Sequence, residues 1–240
     1  MIPLLYEDKD LLVCLKAPGL LSQDGPEGDL PTLLRAQCRC EIYPVHRLDR
    51  EAGGVMVYAK NQRTAATLSA AIQRREWEKR YLCLTRGVPA QPEGTYTDLL
   101  FHDKTRNKTF VVQRKRSGVK EASLSYRVID SNGLYALVLV TLHTGRTHQI
   151  RVQFASRKTP LWGDRKYGGG PGELALWSYR LSFRRPADGK RLTFSRRRRL
   201  CSPAKAAVQC DSSAQNTAVS PSFLAFICPF SPIAIFFTKP

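Results

Sequence analysis

Acidic side chains are scarce in this chain: 20 Asp and Glu stand against 38 Lys and Arg, a formal charge of +18 over 240 residues. A positive excess of this size favours polyanionic partners, and nucleic acid is the commonest of them in a cell. A generic basic protein would share the composition, so the position of the charge matters. From Arg196 onward six cations face only Asp211, so most of the excess belongs to the residues before it.

Other absences narrow the field. No apolar run reaches about 18 residues, so no ordinary membrane helix is expected. The opening MIPLLYEDKDLL has acidic residues by position 7 and no basic stretch before a long apolar core. A secretory signal is therefore not expected, and the cytoplasm is the expected compartment. The seven cysteines include no C-x-x-C pair, and Cys38-Arg-Cys40 lacks the second pair that a tetrahedral zinc site needs. Among the four histidines, His143 and His148 are five apart with no H-E-x-x-H pattern, so no metal is expected. The thiols read as reduced, small buried hydrophobes. No internal repeat is visible. What remains is 42% hydrophobic, enough for a core and too much for a disordered chain.

The pattern along the chain is mixed α/β with substantial antiparallel sheet rather than regular βαβ alternation. Leu4 to Leu15 reads as two short apolar segments around the Glu7–Asp10 turn. Thr32 to Cys40 is expected to be a helix after Pro31, Val55–Ala59 a strand, and Arg63–Arg75 an amphipathic helix. Lys79–Leu84 returns to strand. Thr95 to Phe183 is mostly β-forming, with Ser131-Asn132-Gly133 marking a hairpin and a helix starting near Thr147. Residues 201–240 are Ser- and Pro-rich, and the apolar stretch from Phe223 to Phe237 is cut by Pro229 and Pro232. Disorder is expected across the 196–240 tail, with a single domain over 1–195.

Two constellations can carry chemistry. In His46-Arg47-Leu48-Asp49-Arg50-Glu51-Ala52-Gly53-Gly54, nearby positive charge favours an ionised carboxylate, and the glycine pair allows a close backbone approach. A solvated surface ion pair has the same look. In Thr144-Gly145-Arg146-Thr147-His148-Gln149-Ile150-Arg151 a glycine turn opens a helix, whose start suits phosphate or carboxylate. An ordinary capped helix with basic surface residues reads the same way.

Together these segments resemble the RluA-type family of RNA pseudouridine synthases. Val45-His46-Arg47-Leu48-Asp49 is similar to its H-R-L-D segment, and Glu78-Lys79-Arg80-Tyr81-Leu82 with Gly87 to the strand bearing its active-site tyrosine. Thr144 to Arg151 is similar to its T-G-R-T-H-Q-I-R signature, followed by Pro160-Leu161-Trp162-Gly163-Asp164 and Tyr167-Gly168. The likeness runs from about Leu4 to Ser195, and the small N-terminal RNA-binding domain of many members has no expected counterpart. Two departures stand out: Ala52-Gly53-Gly54 replaces the usual Thr-Ser-Gly, and Lys16-Ala17-Pro18-Gly19 places the proline of K-P-x-G one position late.

The resemblance implies an α+β fold: a mixed, largely antiparallel sheet with flanking helices and a central RNA-binding cleft. It implies an isomerase of uridines in structured RNA, either large-subunit rRNA or tRNA, with no cofactor, metal, DNA or membrane partner, acting as a monomer. Asp49, Tyr81 and Arg151 are the implied catalytic residues: the essential carboxylate, an aromatic face with a hydroxyl near carbon 5 of the base, and the cation that pairs with Asp49. Asp49 could attack the ribose, attack the base or remove a ribose proton. Arg47 is expected to fill the space vacated by a flipped base, with His46, Arg146, His148 and Ile150 also on the RNA. Arg74, Arg75, Lys79 and Arg80, and separately Arg106, Lys108, Arg114, Lys115 and Arg116, are expected phosphate footprints. Two competing readings share the charge: a non-enzymatic RNA-binding protein on the same fold, and a metal-dependent nuclease, which lacks carboxylates at ligand spacing.

Overall fold

The computed structural model describes residues 1–25 and 28–198. Apart from Arg196, Arg197 and Arg198, the tail expected to be disordered lies outside the described residues. Chain order is β1 (Leu4–Glu7), β2 (Leu11–Lys16), α1 (Leu30–Cys38), β3 (Tyr43–Pro44), β4 (Gly53–Ala59), α2 (Gln62–Gln73), β5 (Glu78–Arg86), β6 (Glu93–Asp103), β7 (Lys108–Val112), β8 (Val119–Ser131), β9 (Tyr135–Leu142), α3 (Gln149–Ala155), β10 (Leu176–Arg184) and β11 (Arg191–Ser195). The strands form one sheet in the order β1-β2-β4-β10-β5-β9-β8-β6-β7, with β3 joined to β4 and β11 to β10. Among the strands of the described residues only the β4–β10 pairing is parallel, so the sheet is mixed and largely antiparallel, as the resemblance implied.

Strand β4 lies inside the sheet between β2 and β10. Its seven residues are all buried, and their period of two supplies both faces. Val55, Val57 and Ala59 pack with Leu68 of α2 on one side; Met56 and Tyr58 pack with Leu30 and Leu34 of α1 on the other. Both helices start on side-chain caps. Asp29 Oδ1 accepts from the Thr32 N–H at 2.7 Å with Pro31 in the first turn, and Asn61 Oδ1 accepts from the Thr64 N–H at 2.9 Å. The α1 helix stops where Arg39 turns left-handed (φ 53°) and donates to the Arg35 carbonyl at 2.9 Å. The third helix packs on the far half of the sheet, Phe154 against Tyr96 and Tyr126, and Val152 with Leu100 and Ala122.

The expected elements are present with shifts at their ends. The α3 helix differs in kind. It begins at Gln149, not near Thr147, because His148 is left-handed (φ 54°) and makes no side-chain cap bond. The backbone N–H of Arg146 is taken by Gln149 Oε1 at 3.0 Å. The Gln149 N–H in turn donates to the Arg146 carbonyl at 3.1 Å, tying the turn to the first residue of this seven-residue helix.

Candidate active site

Three segments meet over the middle strands. The loop after β3 carries Asp49, β5 carries Tyr81, and the turn from β9 into α3 carries His148 and Arg151. Between them lies a cleft of about 430 Å³, lined by all eight residues singled out from the sequence: His46, Arg47, Asp49, Tyr81, Arg146, His148, Ile150 and Arg151. A cleft of this size accommodates a small ligand.

The Asp49 loop is clamped from behind. Lys16, at the end of β2 and fully buried, donates from Nζ to the carbonyls of Ala17 (3.1 Å), Arg50 (3.0 Å) and Ala52 (2.6 Å). Burial lowers its pKa to about 8, though Asp49 and Glu51 pull it upward. The Gly19 N–H donates to the Arg50 carbonyl at 2.8 Å. On the other side Ser22 Oγ donates to the Leu48 carbonyl at 2.8 Å and accepts from the Leu48 N–H at 3.2 Å. The carboxylate thus stands on a loop fixed before and after it.

Arg151 crosses to Asp49 at 3.3 Å, and to Glu51 at 3.2 Å. Its tighter partner is Asp164, which accepts at 2.8 Å from both Nε and Nη2. The Asp164 side chain is 0% exposed, the Arg151 side chain 3% and the Asp49 side chain 14%. This bidentate pair raises the guanidinium pKa despite burial and aims its remaining nitrogen, Nη1, at the cleft. The sequence reading paired Arg151 with Asp49; Asp164 is the primary anchor and Asp49 the secondary contact. Flanking positive charge does not hold Asp49 down either. Arg50 turns away to donate to the Gly19 carbonyl at 3.0 Å. Burial raises the Asp49 carboxyl above its usual value, and Arg151, then Arg47, offset only part of that.

Tyr81 is buried between Ser178 on β10 and Val140 on β9. Burial, then the Asp49 charge, raise its phenol and keep it protonated. His148 is held neutral, its pKa lowered to about 3 by burial and by Arg151 and Lys166. Its Nδ1 shares a hydrogen bond with the Tyr167 hydroxyl at 3.0 Å. His46 is also neutral, pushed down by burial and Lys79, and its Nε2 accepts from the Val57 N–H at 3.0 Å. Neither histidine carries a charge into the cleft. Ile150 is buried in the main core, and Arg146 donates from Nε to the Glu121 carbonyl at 3.0 Å. Arg47 is exposed at the rim. Of the expected footprints Arg75 and Lys79 line the cleft, whereas Arg74 is paired with Glu76 and Arg80 with Glu78.

The glycine pair after Asp49 has a steric reason. A Cβ on Gly53 would lie 2.5 Å from the Trp177 ring and 2.9 Å from the Lys16 carbonyl; one on Gly54 (φ +125°) would lie 2.3 Å from the Ser178 carbonyl oxygen. Trp177 takes the room that a side chain at position 53 would need. No group of three or more His, Cys, Asp or Glu among the described residues could hold a metal ion, and no described helix is long and apolar enough to cross a membrane.

Residues 10–156 match the family described as RNA pseudouridylate synthase. Three curated relatives illustrate the likeness. An uncharacterized RNA pseudouridine synthase of Aquifex aeolicus is 35% identical over 220 residues, with 80% of this chain and 68% of that protein covered. The uncharacterized RNA pseudouridine synthase YhcT of Bacillus subtilis is 32% identical, with 70% and 58% covered. Ribosomal large subunit pseudouridine synthase D of Borreliella burgdorferi is 31% identical, with 75% and 60% covered. The chain thus spans 58 to 68% of the length of these relatives. Human RNA pseudouridylate synthase domain containing 1 shares the fold, with a TM-score of 0.70 at 21% identity and 97% of each chain covered.

Proposed function

The chain belongs to the RluA-type family of RNA pseudouridine synthases, and from that premise we propose that it converts uridines of structured RNA to pseudouridine in the Asp49 cleft. The observation that carries this reading is the convergence of Asp49, the Asp164-anchored Arg151 and the Tyr81 ring on one cleft. The reaction breaks the bond from N1 of uracil to the ribose, turns the base, joins the ribose to carbon 5 and releases the carbon-5 proton, while N1 takes up a proton, so that product and substrate are isomers.

Asp49 is the carboxylate that serves the glycosidic step, and Arg151 stabilises its anionic form as the base detaches. A desolvated carboxylate is a stronger nucleophile and base than a hydrated one, which fits the low exposure of Asp49. Tyr81 provides the stacking face for the detached uracil. Because its phenol is protonated, it can take the carbon-5 proton only while passing its own onward, so stacking is its first role. Arg47, at the rim, fills the gap left by the extruded base, whose unstacking costs a few kcal/mol. Large-subunit rRNA is the first substrate to test, following the name of the Borreliella relative, with tRNA second. The protein acts as a monomer without a cofactor.

Tritium release from RNA labelled at carbon 5 of uridine is the test. Wild type is expected to release tritium from cellular RNA of a strain lacking this gene, and Asp49→Asn to bind the same RNA without release. RNA binding by wild type with no release would instead assign a chaperone-like protein that keeps only the fold.

A further inference from the structure

The hairpin formed by β6 and β7, with the start of β8, has one face in the core and one face uncovered. On the inner face Leu100 and Ala122 pack with Val152 of α3, and Thr109 Oγ1 donates to the Thr147 carbonyl at 2.9 Å, directly beside the cleft. Successive residues of a strand point to opposite faces. The outer face therefore carries Phe101, paired across the sheet with Phe110 and Val119, and Leu99, paired with Val112. None of these five residues belongs to a buried apolar cluster among the described residues, and all are partly exposed.

The charge around this face is one-sided. Between Phe101 and Lys120 there are seven Lys and Arg and a single carboxylate, Asp103. Asp103 is itself tied to Thr105 and Arg106; Glu121 stands at the margin. The Arg116 guanidinium lies 4.9 Å from the Phe101 ring centroid, and Lys108 Nζ, 5.3 Å from the Tyr167 ring at the inner side, lies 5.8 Å from that of Phe110. Aromatic rings interleaved with cations suit unpaired nucleotides, whose bases stack on the rings while the cations take the phosphates. A duplex, with its bases already stacked, gains only the phosphate contacts.

We propose that the outer face of this hairpin is a second RNA-binding surface, a stacking platform for unpaired nucleotides built on Phe101 and Phe110 and rimmed by Arg114, Lys115 and Arg116. It rests on the reading of the protein as an RNA enzyme, and adds that the substrate carries a single-stranded segment beside the uridine in the cleft. Charge complementarity favours RNA over an apolar protein partner.

The test compares a fluorescein-labelled RNA hairpin with and without a short unpaired oligouridine extension, in fluorescence anisotropy with the full-length protein. Wild type is expected to bind the extended hairpin about tenfold more tightly, since one good base–aromatic stack suffices for that ratio. Phe101→Leu combined with Phe110→Leu keeps the apolar surface and removes the rings; it is expected to erase the gain and leave binding of the blunt hairpin unchanged. Equal binding of both hairpins by wild type would overturn the platform, as would a gain that survives in the double leucine variant. An acidic peptide that binds wild type and the double variant alike, with no gain from the extension, would assign the face to a protein partner instead. Circular dichroism melting verifies that the variant is folded. Tritium release on the same preparation reads the Asp49 cleft separately, so loss of either reading leaves the other measurable.

Discussion

The unequal attachment of Arg151 leads to a paired prediction in which catalytic loss and stability loss separate. Asp164→Asn removes the charge from a carboxylate that accepts two 2.8 Å bonds and has no exposed side chain. Breaking a buried pair by removing one partner costs roughly 3–5 kcal/mol. An asparagine oxygen can still accept one of the two bonds, and Glu51 and Asp49 remain near Nη1, so the low end, about 3 kcal/mol, is expected. For a domain of this size that is about 6–12 °C in Tm. Asp49→Asn removes only a 3.3 Å contact. The folded pKa of Asp49 is raised, chiefly by burial, so the folded state binds a proton more readily than the unfolded one. The residue's contribution to stability therefore falls as pH rises through the carboxylate range. An uncharged amide escapes that penalty, and the variant should unfold within about 1 kcal/mol of wild type, a typical range for changes away from a critical pair. Urea unfolding at neutral pH and tritium release, run on both proteins, give the answer. Asp49→Asn should be inactive and stable; Asp164→Asn should be unstable, with the acid limb of kcat/KM moved to lower pH because Arg151 then favours Asp49. If Asp49→Asn costs as much stability as Asp164→Asn, the anchoring order derived from the distances is wrong.

Further outcomes follow from the loop clamp, the glycine pair and the net charge. Lys16 has a folded pKa of about 8 against its usual 10.5, so the folded state loses that proton first and stability rises with pH between those values. Lys79, also lowered to about 8, acts in the same direction, whereas the buried thiols of Cys14 and Cys83, raised from their usual 9.0 by burial, oppose it as they ionise in the unfolded chain. Lys16→Met should therefore reduce the slope at the low end of the window, near about pH 8 to 9, in pH-dependent urea unfolding. The same variant should lower kcat with little change in KM, because the Arg50 and Ala52 carbonyls lose the donor that fixes the loop; an unchanged kcat would remove Lys16 from the positioning of Asp49. Gly53→Ser should cost about 1–3 kcal/mol by overpacking, and Trp177→Leu in the same chain should recover part of it, with failure of any rescue in thermal melts counting against the steric account. RNA affinity should fall about a thousandfold between low and moderate salt, if some six phosphates are contacted; a flat salt profile in filter binding would mean that the basic surface is not used.

The fold was legible where the local signals were unambiguous. Val55–Ala59 reads as a strand from its unbroken apolar run, and in the structure its side chains serve two opposite cores. Arg63–Arg75 reads as a helix from its apolar periodicity, and the structure adds the Asn61 cap that the periodicity does not show. The start of α3 was misplaced for a local reason: the left-handed His148 spends two residues on a turn that periodicity cannot register. The site's members were legible as motifs, and all eight residues reach one cleft. The pairing of Arg151 with Asp49 was implied by the resemblance and is present at 3.3 Å, but the other couplings were not legible. Nothing local in Gly163-Asp164 announces a buried carboxylate aimed at a helix thirteen residues earlier, and nothing in Leu15-Lys16 announces a lysine with no exposed surface. Both depend on which strands become neighbours, which is set by crossovers rather than by spacing.

The departures from the family pattern are where sequence and packing inform each other most. Read alone, Ala52-Gly53-Gly54 loses two hydroxyls beside the Asp49 carboxylate and suggests a looser loop. In the folded chain Gly53 faces the Trp177 ring, Gly54 lies against the Ser178 backbone where β4 and β10 run parallel, and Lys16 reaches over both to the Ala52 carbonyl. Rigidity that a Thr-Ser pair could supply by hydrogen bonding is supplied instead by an indole packed on bare backbone and by a buried ammonium. The Trp177 indole is in turn fixed by donating from Nε1 to the Arg196 carbonyl at 2.7 Å. The basic run that begins at Arg196 therefore starts at a residue whose backbone steadies the wall behind Asp49. A cut placed before Arg196 should loosen Trp177 and, through Gly53, the Asp49 loop. In a chain carrying Trp77→Phe and Trp162→Phe, so that the signal is that of Trp177, a fluorescence shift together with reduced tritium release would show the connection, and unchanged fluorescence would break it.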